Sequence, residues 1–160
     1  MHHRLIQLGD LDALYAIYMD PENNPFLSYD PMDIGSFRPI FEERFGAADT
    51  YLVFDEGDVI ATFALHRQKH RSAHVATLGS FAMHPTFRGR GYAARVMQLI
   101  VDVTRSKGVR RLDLLVETDN PRAILFYERN GFLREGILRG AVRRANEAED
   151  VDELSMARRL

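Results

Sequence analysis

The spacing of apolar residues near the start of the chain predicts a helix. Behind Asp10, which can cap a helix, apolar residues recur at i, i+3, i+4 and i+7 and so fall on one helical face. From about residue 50 the pattern changes to short apolar runs separated by polar turns, which is typical of strands. The residues of the helical face are Leu11, Leu14, Tyr15 and Tyr18.

Apolar periodicity and turn residues predict the remaining elements. Together they indicate one α+β domain with a mixed sheet over residues 1–160. In chain order we predict a strand at 4–8, an irregular proline-rich loop at 21–39, a short helix at about 34–46 interrupted by Pro39, a β-hairpin of 51–54 and 59–65, a strand at 73–83 in which Gly79 suggests a bulge or a close backbone approach, a helix at about 89–107 ended by Gly108, a strand at 111–116, a helix at 121–129 ended by Asn130-Gly131, and two strands near 132–140 and 150–158.

Composition narrows the class of protein. The chain has 160 residues, a net charge of -2 and no cysteine, so nothing draws it to nucleic acid and no thiolate can act as nucleophile or metal ligand. No apolar run approaches the roughly 20 residues that cross a bilayer, and the start lacks the apolar region of a signal peptide. We therefore expect a soluble cytoplasmic protein without membrane or nucleic-acid partners.

Histidines and charged residues outside the main motifs predict solvated turns. His66, His70 and His74 have metal-ligand spacing for a helix, but they fall between two predicted strands, so we expect no metal site. A second polar segment near the C-terminus has basic residues followed by acidic ones and predicts a solvated hairpin, with a contact to an acidic substrate as the lesser alternative. Its charged residues are Arg139, Arg143, Arg144, Glu147, Glu149, Asp150, Asp152 and Glu153.

The junction between the strand at 73–83 and the next helix carries the strongest candidate chemistry. It reads His84-Pro85-Thr86-Phe87-Arg88-Gly89-Arg90-Gly91-Tyr92-Ala93-Ala94. Glycines at a helix N-terminus leave backbone N–H groups open to a ligand, and the helix dipole favours an anion there. Arg88 and Arg90 add positive charge that can pair with the same groups. The junction therefore predicts a phosphate or pyrophosphate site.

Two motifs in order resemble the GCN5-related N-acetyltransferase (GNAT) superfamily. Arg88-x-x-Gly91-x-Ala93 has the pattern Arg/Gln-x-x-Gly-x-Gly/Ala, whose backbone amides bind the pyrophosphate of coenzyme A in that family. Residues 120–132 then look like the family segment N-x-x-A-x-x-x-Y-x-x-x-G-F. The resemblance implies a mixed, mostly antiparallel sheet with helices on both faces and N-terminal helices over the acceptor site.

The resemblance also implies roles for individual residues. Tyr127 would act as general acid and protonate the departing thiolate of coenzyme A, because a phenol can donate a proton to a nearby sulfur. Asn120 would contact coenzyme A as well as cap a helix, and the strand end at 81–83 would pair with the pantetheine arm and offer an amide to the oxyanion. The implied contacts with acetyl-CoA are Phe81, Ala82, Met83, Arg88, Gly89, Arg90, Gly91, Tyr92, Ala93, Ala94, Asn120 and Tyr127.

Other interpretations of these residues stay open. Gly89-x-Gly91-x-x-Ala94 also satisfies a dinucleotide fingerprint with Glu117 as a ribose-binding acid, although the glycines stand too far behind the strand for that fold. A glycine loop that binds nothing is a further alternative, and helical spacing alone would make Tyr127 a core aromatic. No general base is assigned: Asp113 and Glu117 are the carboxylates that the strand beginning near Leu112 offers, and His84 is a weaker candidate.

The sequence thus predicts an acetyl-CoA-dependent N-acetyltransferase that needs no metal. The acceptor would be the primary amine of an amino acid or other small amine and would attack the thioester directly in a ternary complex. A protein N-terminus or lysine is the alternative acceptor, and a non-catalytic acyl-CoA sensor is the alternative function. A homodimer is expected by family analogy only.

Overall fold

The computed structural model describes residues 1–47 and 49–160, the side chains of 44–47 excepted. It contains both helices and strands, and β4 and β5 run parallel while the other strand pairs described here run antiparallel, so the predicted mixed, mostly antiparallel α+β fold is confirmed. The elements are β1 (His2–Leu5), α1 (Leu11–Tyr18), α2 (Ile34–Ala47), β2 (Asp49–Asp55), β3 (Asp58–Arg67), β4 (Val75–Met83), α3 (Tyr92–Ser106), β5 (Arg111–Glu117), α4 (Pro121–Arg129), β6 (Leu133–Val142) and β7 (Val151–Arg159).

The chain divides into two compact units. The first comprises Met1–His66 and Ser80–Val96, and the second comprises Arg67–Gly79 and Met97–Leu160. Both β4 and α3 therefore contribute residues to each unit. Among the described residues, no helix is long and apolar enough to cross a membrane.

The first unit is built on the antiparallel strands β1, β2 and β3, with α1 and α2. The β2–β3 pair is the predicted hairpin, and β1 adds to its free edge with His2 opposite Phe54. The amide of His84, just past β4, donates to the carbonyl of Ile60 in β3 at 2.8 Å and so fixes the end of β4 in this unit. One apolar cluster of this unit includes Leu11, Leu14, Ile17, Tyr18, Phe37, Phe41, Leu52 and Ala82.

Several boundaries in the first unit differ from the sequence predictions. The first strand covers His2–Leu5 rather than 4–8, because a 3₁₀ turn at Leu8–Asp10 follows it. Asp10 does not cap α1: its carboxylate accepts from both Arg4 Nη atoms at 2.6 and 2.8 Å and from the Gln7 amide at 2.7 Å. A bidentate, charge-assisted pair outcompetes a cap bond, and it also holds the Asp10 pKa below its usual value.

Helix α2 begins inside the segment predicted as an irregular loop and continues through Pro39. Asp33 starts it, because the Asp33 carboxylate accepts from the Ser36 amide and hydroxyl, both at 3.0 Å. Pro39 lies in the second turn, where its missing N–H would have reached the carbonyl of Gly35. The helix at 34–46 is therefore confirmed, whereas its interruption at Pro39 is wrong.

The second unit orders the start of β4, then β5, β7 and β6. Thr77 pairs with Asp113 in parallel, and β7 pairs antiparallel with β5 and β6, placing Glu117 opposite Glu153. Helix α4 has the predicted bounds, and the left-handed Gly131 (φ 81°) follows it as expected. Buried apolar residues of this unit include Ile100, Leu112, Leu114, Phe132 and Met156.

Candidate active site

The predicted phosphate cradle lies in the first unit, between the end of β4 and the start of α3. His84 is extended as predicted (φ -59°, ψ 137°), its Nδ1 accepts from the Thr86 amide at 3.3 Å, and a 3₁₀ turn at Pro85–Phe87 follows. Gly89 (φ 72°) and Gly91 (φ 78°) have left-handed backbone, so α3 begins at Tyr92 rather than at residue 89. The left-handed backbone at these two positions therefore favours glycine.

The space above the two glycines is open. A Cβ added at Gly89 or Gly91 would meet no heavy atom within 4 Å. The first turn of α3 follows directly, and the amides of Tyr92, Ala93 and Ala94 have no carbonyl partner earlier in the helix. The arrangement therefore presents N–H groups beside an unobstructed stretch of backbone, which suits an anionic group.

The two arginines of the cradle have different environments. Arg88 is mostly buried (16% exposed) and forms ion pairs with Asp20 and with Glu22, the second at 2.8 Å. Arg90 is exposed, and its guanidinium carbon lies 5.9 Å from the centre of the Phe87 ring. From the sequence, both arginines were expected to pair with the phosphate groups of a ligand. In the structure Arg88 already has two carboxylate partners.

The strand end at 81–83 is also part of the first unit. Ala82 is buried, while Phe81 and Met83 are half-buried. Ser80 has a left-handed backbone (φ 50°), so the irregularity that the sequence suggested at Gly79 falls on the next residue. The Met83 carbonyl accepts a hydrogen bond from Asn23 Nδ2 at 2.9 Å.

Asn120 and Tyr127 lie in the second unit, on α4. The Asn120 side chain accepts from the Ala123 amide at 3.1 Å, and Pro121 occupies the first helical position, so the predicted cap is confirmed. This cap fixes the residue at which α4 starts, and so it fixes the position of Tyr127 within the helix.

Tyr127 is half-buried against aromatic neighbours. Its ring makes edge contacts with Phe126 and Phe132, at centroid distances of 5.5 and 5.6 Å. Among the described residues its hydroxyl has no hydrogen-bond partner. Burial raises the pKa of the phenol, so it stays protonated throughout the neutral pH range. The ring of Tyr127 therefore packs against aromatic neighbours while its hydroxyl remains available as a proton donor.

A partly buried ion-pair network at the end of β5 gave no signal in the sequence. Arg144 is only 15% exposed and makes a two-pronged contact with Asp119, at 2.7 and 3.1 Å. It also donates to Glu117 at 3.2 Å and to Glu147 at 3.0 Å. The predicted solvated hairpin fits Arg143, which is 71% exposed, but it is wrong for Arg144.

The network leaves Glu117 as the buried carboxylate of β5. Burial raises its pKa, and Arg144 lowers that pKa by a smaller amount. Asp113, the other carboxylate on β5, is ion-paired with Arg111 Nε at 2.6 Å, and Leu115 between them is 46% exposed. Alternation places Asp113, Leu115 and Glu117 on one face of the strand.

Replacing Arg144 with methionine is expected to reduce stability more at about pH 8 than at about pH 5. Because burial raises the pKa of Glu117, the folded state binds more protons than the unfolded state above the usual carboxyl pKa, so stability falls as pH rises through that window. Without Arg144 the Glu117 pKa rises further, and the fall extends to higher pH. Urea unfolding should show a loss of about 2 kcal/mol at the higher pH.

Arg143→Met is the matched control for that experiment. Arg143 is exposed and pairs with Asp150 at 2.5 Å, so its removal should change stability little and equally at both pH values. Arg144 lowers the pKa of Asp119 in the wild type. In the variant Asp119 stays ionised at both pH values because the ordinary aspartate pKa of about 3.9 lies below them, so its lost contact cancels in the comparison. Equal losses for Arg144→Met at the two pH values would contradict the burial argument for Glu117.

Comparison with known proteins agrees with both the motifs and the fold. Uncharacterized N-acetyltransferase YycN of Bacillus subtilis (strain 168) is 30% identical over 81 residues, 51% of this chain and 52% of that protein. N-alpha-acetyltransferase 30 of Schizosaccharomyces pombe is 36% identical over 78 residues, 49% of this chain and 50% of that protein. The chain thus spans about half the length of these two relatives.

The fold itself is shared over nearly the whole chain. The crystal structure of spermidine N-acetyltransferase from Vibrio cholerae in complex with CoA and spermine superposes with a TM-score of 0.82 at 19% identity, covering 98% of this chain and 93% of that one. The Acetyltransferase (GNAT) family matches residues 11–132, a range that takes in the glycine cradle, the Asn120 cap and Tyr127. With most of its residues inside that match, the chain belongs to the acetyltransferase (GNAT) family.

Proposed function

We propose that this protein is an N-acetyltransferase that moves the acetyl group of acetyl-CoA to the primary amine of a small molecule. The observation that carries the proposal is the family match over residues 11–132 together with the open, left-handed glycine backbone at Gly89 and Gly91. Family membership supports the reaction, and the cradle supports a pyrophosphate-bearing donor.

Acetyl-CoA is the proposed donor, and its pyrophosphate would bind the cradle backbone. The amides of residues 89–94 would donate to phosphate oxygens, helped by the dipole of α3 and by the exposed cation of Arg90. The strand end at 81–83 would pair with the pantetheine arm, with one of its amides stabilising the oxyanion. Asn120 would add a contact to coenzyme A.

The proposed chemistry is direct attack without a covalent enzyme intermediate. The lone pair of the neutral amine forms a bond to the thioester carbonyl carbon, and the C–S bond then breaks. Tyr127 gives its phenolic proton to the departing thiolate, and solvent returns a proton to the phenolate as the new amide nitrogen loses its own. The raised pKa of Tyr127 means that the phenol carries its proton at neutral pH.

A protein N-terminus is the second candidate acceptor, favoured by the similarity to N-alpha-acetyltransferase 30 of Schizosaccharomyces pombe. The two acceptors differ in size and in charge near the amine. A small amine needs an enclosed pocket, whereas a peptide needs an open groove that also binds its first side chains.

A panel of acceptors tests both the reaction and the acceptor class. Initial rates would be measured with acetyl-CoA and free amino acids, polyamines and short peptides with free N-termini, with thiol release as the readout. We expect turnover with at least one class and a higher kcat/KM for a small amine. Tight binding of acetyl-CoA without turnover on any amine would support the sensor alternative, and a peptide preference would replace the small-amine acceptor.

A further inference from the structure

The segment between α1 and α2 holds the phosphate cradle at two points. Asp20 and Glu22 form ion pairs with Arg88, and Asn23 donates to the carbonyl of Met83 at the end of β4. We call these five residues the Asp20 bracket. All of them lie in the first unit, and Arg88 is separated from Asp20 by 68 positions in the sequence.

Asp20 is the centre of the bracket. One of its carboxylate oxygens accepts from the amides of Glu22 and Asn23, both at 3.1 Å, and from Nη2 of Arg88. The carboxylate therefore shapes its own turn and holds the arginine with the same atom. A carboxylate with backbone and guanidinium donors at once is strongly oriented.

Asn23 fixes the turn to two other elements. Its Nδ2 donates to the carbonyl of Ile17 in α1 and to the carbonyl of Met83, both at 2.9 Å. The next residue, Asn24, is buried and donates to the carbonyls of Tyr18 and Tyr29 at 3.1 and 3.0 Å. These hydrogen bonds hold the bracket against α1 and against the loop that follows it. The bracket can therefore keep the cradle in position.

Charge and exposure argue against Arg88 as a direct ligand of an anion. Two carboxylates surround its single positive charge, so the group carries a net negative charge, and the side chain is only 16% exposed. Arg90, two residues along, is exposed and can supply the cation instead.

We propose that Asp20 and Asn23 are positioning residues which hold the acetyl-CoA cradle through Arg88 and Met83, and that the Arg88 side chain supports the loop rather than binding the pyrophosphate. The proposal rests on the proposed function, because it assumes that the cradle binds acetyl-CoA. Under this proposal the segment between α1 and α2 helps to position the acetyl-CoA site.

The two roles of Arg88 predict opposite effects when Asp20 loses its charge. If Arg88 supports the loop, Asp20→Asn lets the cradle relax and weakens acetyl-CoA binding by about tenfold, as Arg88→Gln does. If Arg88 binds the pyrophosphate, Asp20→Asn removes a competing anion and tightens binding. The sign of the change in Kd decides between them.

The test measures the Kd of acetyl-CoA by calorimetry for the wild type, Asp20→Asn, Arg88→Gln and the double variant. We expect each single variant to bind about tenfold more weakly and the double variant to bind no more weakly than Arg88→Gln, because both single variants remove the same Asp20–Arg88 ion pair. Arg88→Gln should leave the salt dependence of Kd unchanged, whereas Arg90→Gln should reduce it. Tighter binding by Asp20→Asn, or a reduced salt dependence for Arg88→Gln, would overturn the proposal.

Glu22→Gln keeps the test decisive if a buried variant fails to fold. The Glu22 side chain is 70% exposed and makes one contact with Arg88, so its replacement should preserve the fold. Unchanged or weaker binding supports the bracket, and tighter binding overturns it. A wild type that does not bind acetyl-CoA would instead overturn the proposed function, so the two failures are distinguishable.

Discussion

Gly91→Ala should weaken acetyl-CoA binding by about tenfold or more while leaving most of the fold intact. The new Cβ would meet nothing within 4 Å in the protein itself, so it would project into the open space that a ligand must enter to reach the cradle amides. The left-handed backbone at this position (φ 78°) adds strain of about 1 kcal/mol for any residue with a Cβ. Calorimetry with acetyl-CoA measures the first effect and urea unfolding the second.

Gly108→Ala is a matched control because it carries the same strain without the proposed ligand. Gly108 follows α3, has φ 75°, and also has nothing within 4 Å of an added Cβ. Both variants should lose similar stability, and the Kd should change only for Gly91→Ala. If Gly108→Ala weakens acetyl-CoA binding as much, the effect comes from backbone strain and the cradle assignment loses its support.

Local sequence signals predicted the parts of the molecule that short-range chemistry determines. Left-handed glycines end or precede helices at positions that the sequence marked, and Asn120 with Pro121 starts α4 where a cap and a first-turn proline predict it. Each of these features depends on residues a few positions apart. The family motifs are of the same kind, which is why the cradle and α4 could be placed before the fold was known.

Contacts between distant residues could not be predicted in the same way. Arg88 and Arg144 both looked like solvated or ligand-binding cations. Arg88 pairs with Asp20, which lies 68 positions away in the sequence. Besides its near neighbour Glu147, Arg144 pairs with two carboxylates that lie 25 and 27 positions away. Only the folded chain brings these charges together. Asp10 fails to cap α1 for a more local reason, since Arg4, six positions away, offers its carboxylate a stronger partner than a helix amide does.

These long-range pairs alter which residues matter for the proposed reaction. Arg88 is no longer a candidate for binding the pyrophosphate and becomes a candidate for supporting the cradle loop. Arg90 is then the exposed cation of the cradle. Arg144 ties its own loop to the turn that precedes Asn120. In both cases a mostly buried arginine holds a segment next to a predicted site residue, so loss of the arginine should disturb the geometry of that segment more than its charge.

Tyr127→Phe is expected to lower kcat for acetyl transfer by about a hundredfold, within the range of general acid catalysis, while the Kd of acetyl-CoA stays nearly constant. The phenylalanine keeps the ring that packs edge-on against Phe126 and Phe132. It removes only a hydroxyl that has no partner among the described residues, so the melting temperature should not fall. A rate loss without a stability loss would therefore report on chemistry.

Tyr127→Ala separates the catalytic role from the packing role of the same side chain. Removal of the ring leaves a void beside Phe132, which is 1% exposed, and should cost about 3 kcal/mol of stability as well as activity. If Tyr127 were only a core aromatic, Tyr127→Phe would keep full activity at saturating substrates and only Tyr127→Ala would lose it. Because burial raises the phenol pKa, the phenylalanine variant should also show the same loss from about pH 6 to pH 9, where the wild-type phenol remains protonated. A loss that vanished toward pH 9 would mean that the phenol titrates in this range, and the proposed protonated donor would then be wrong.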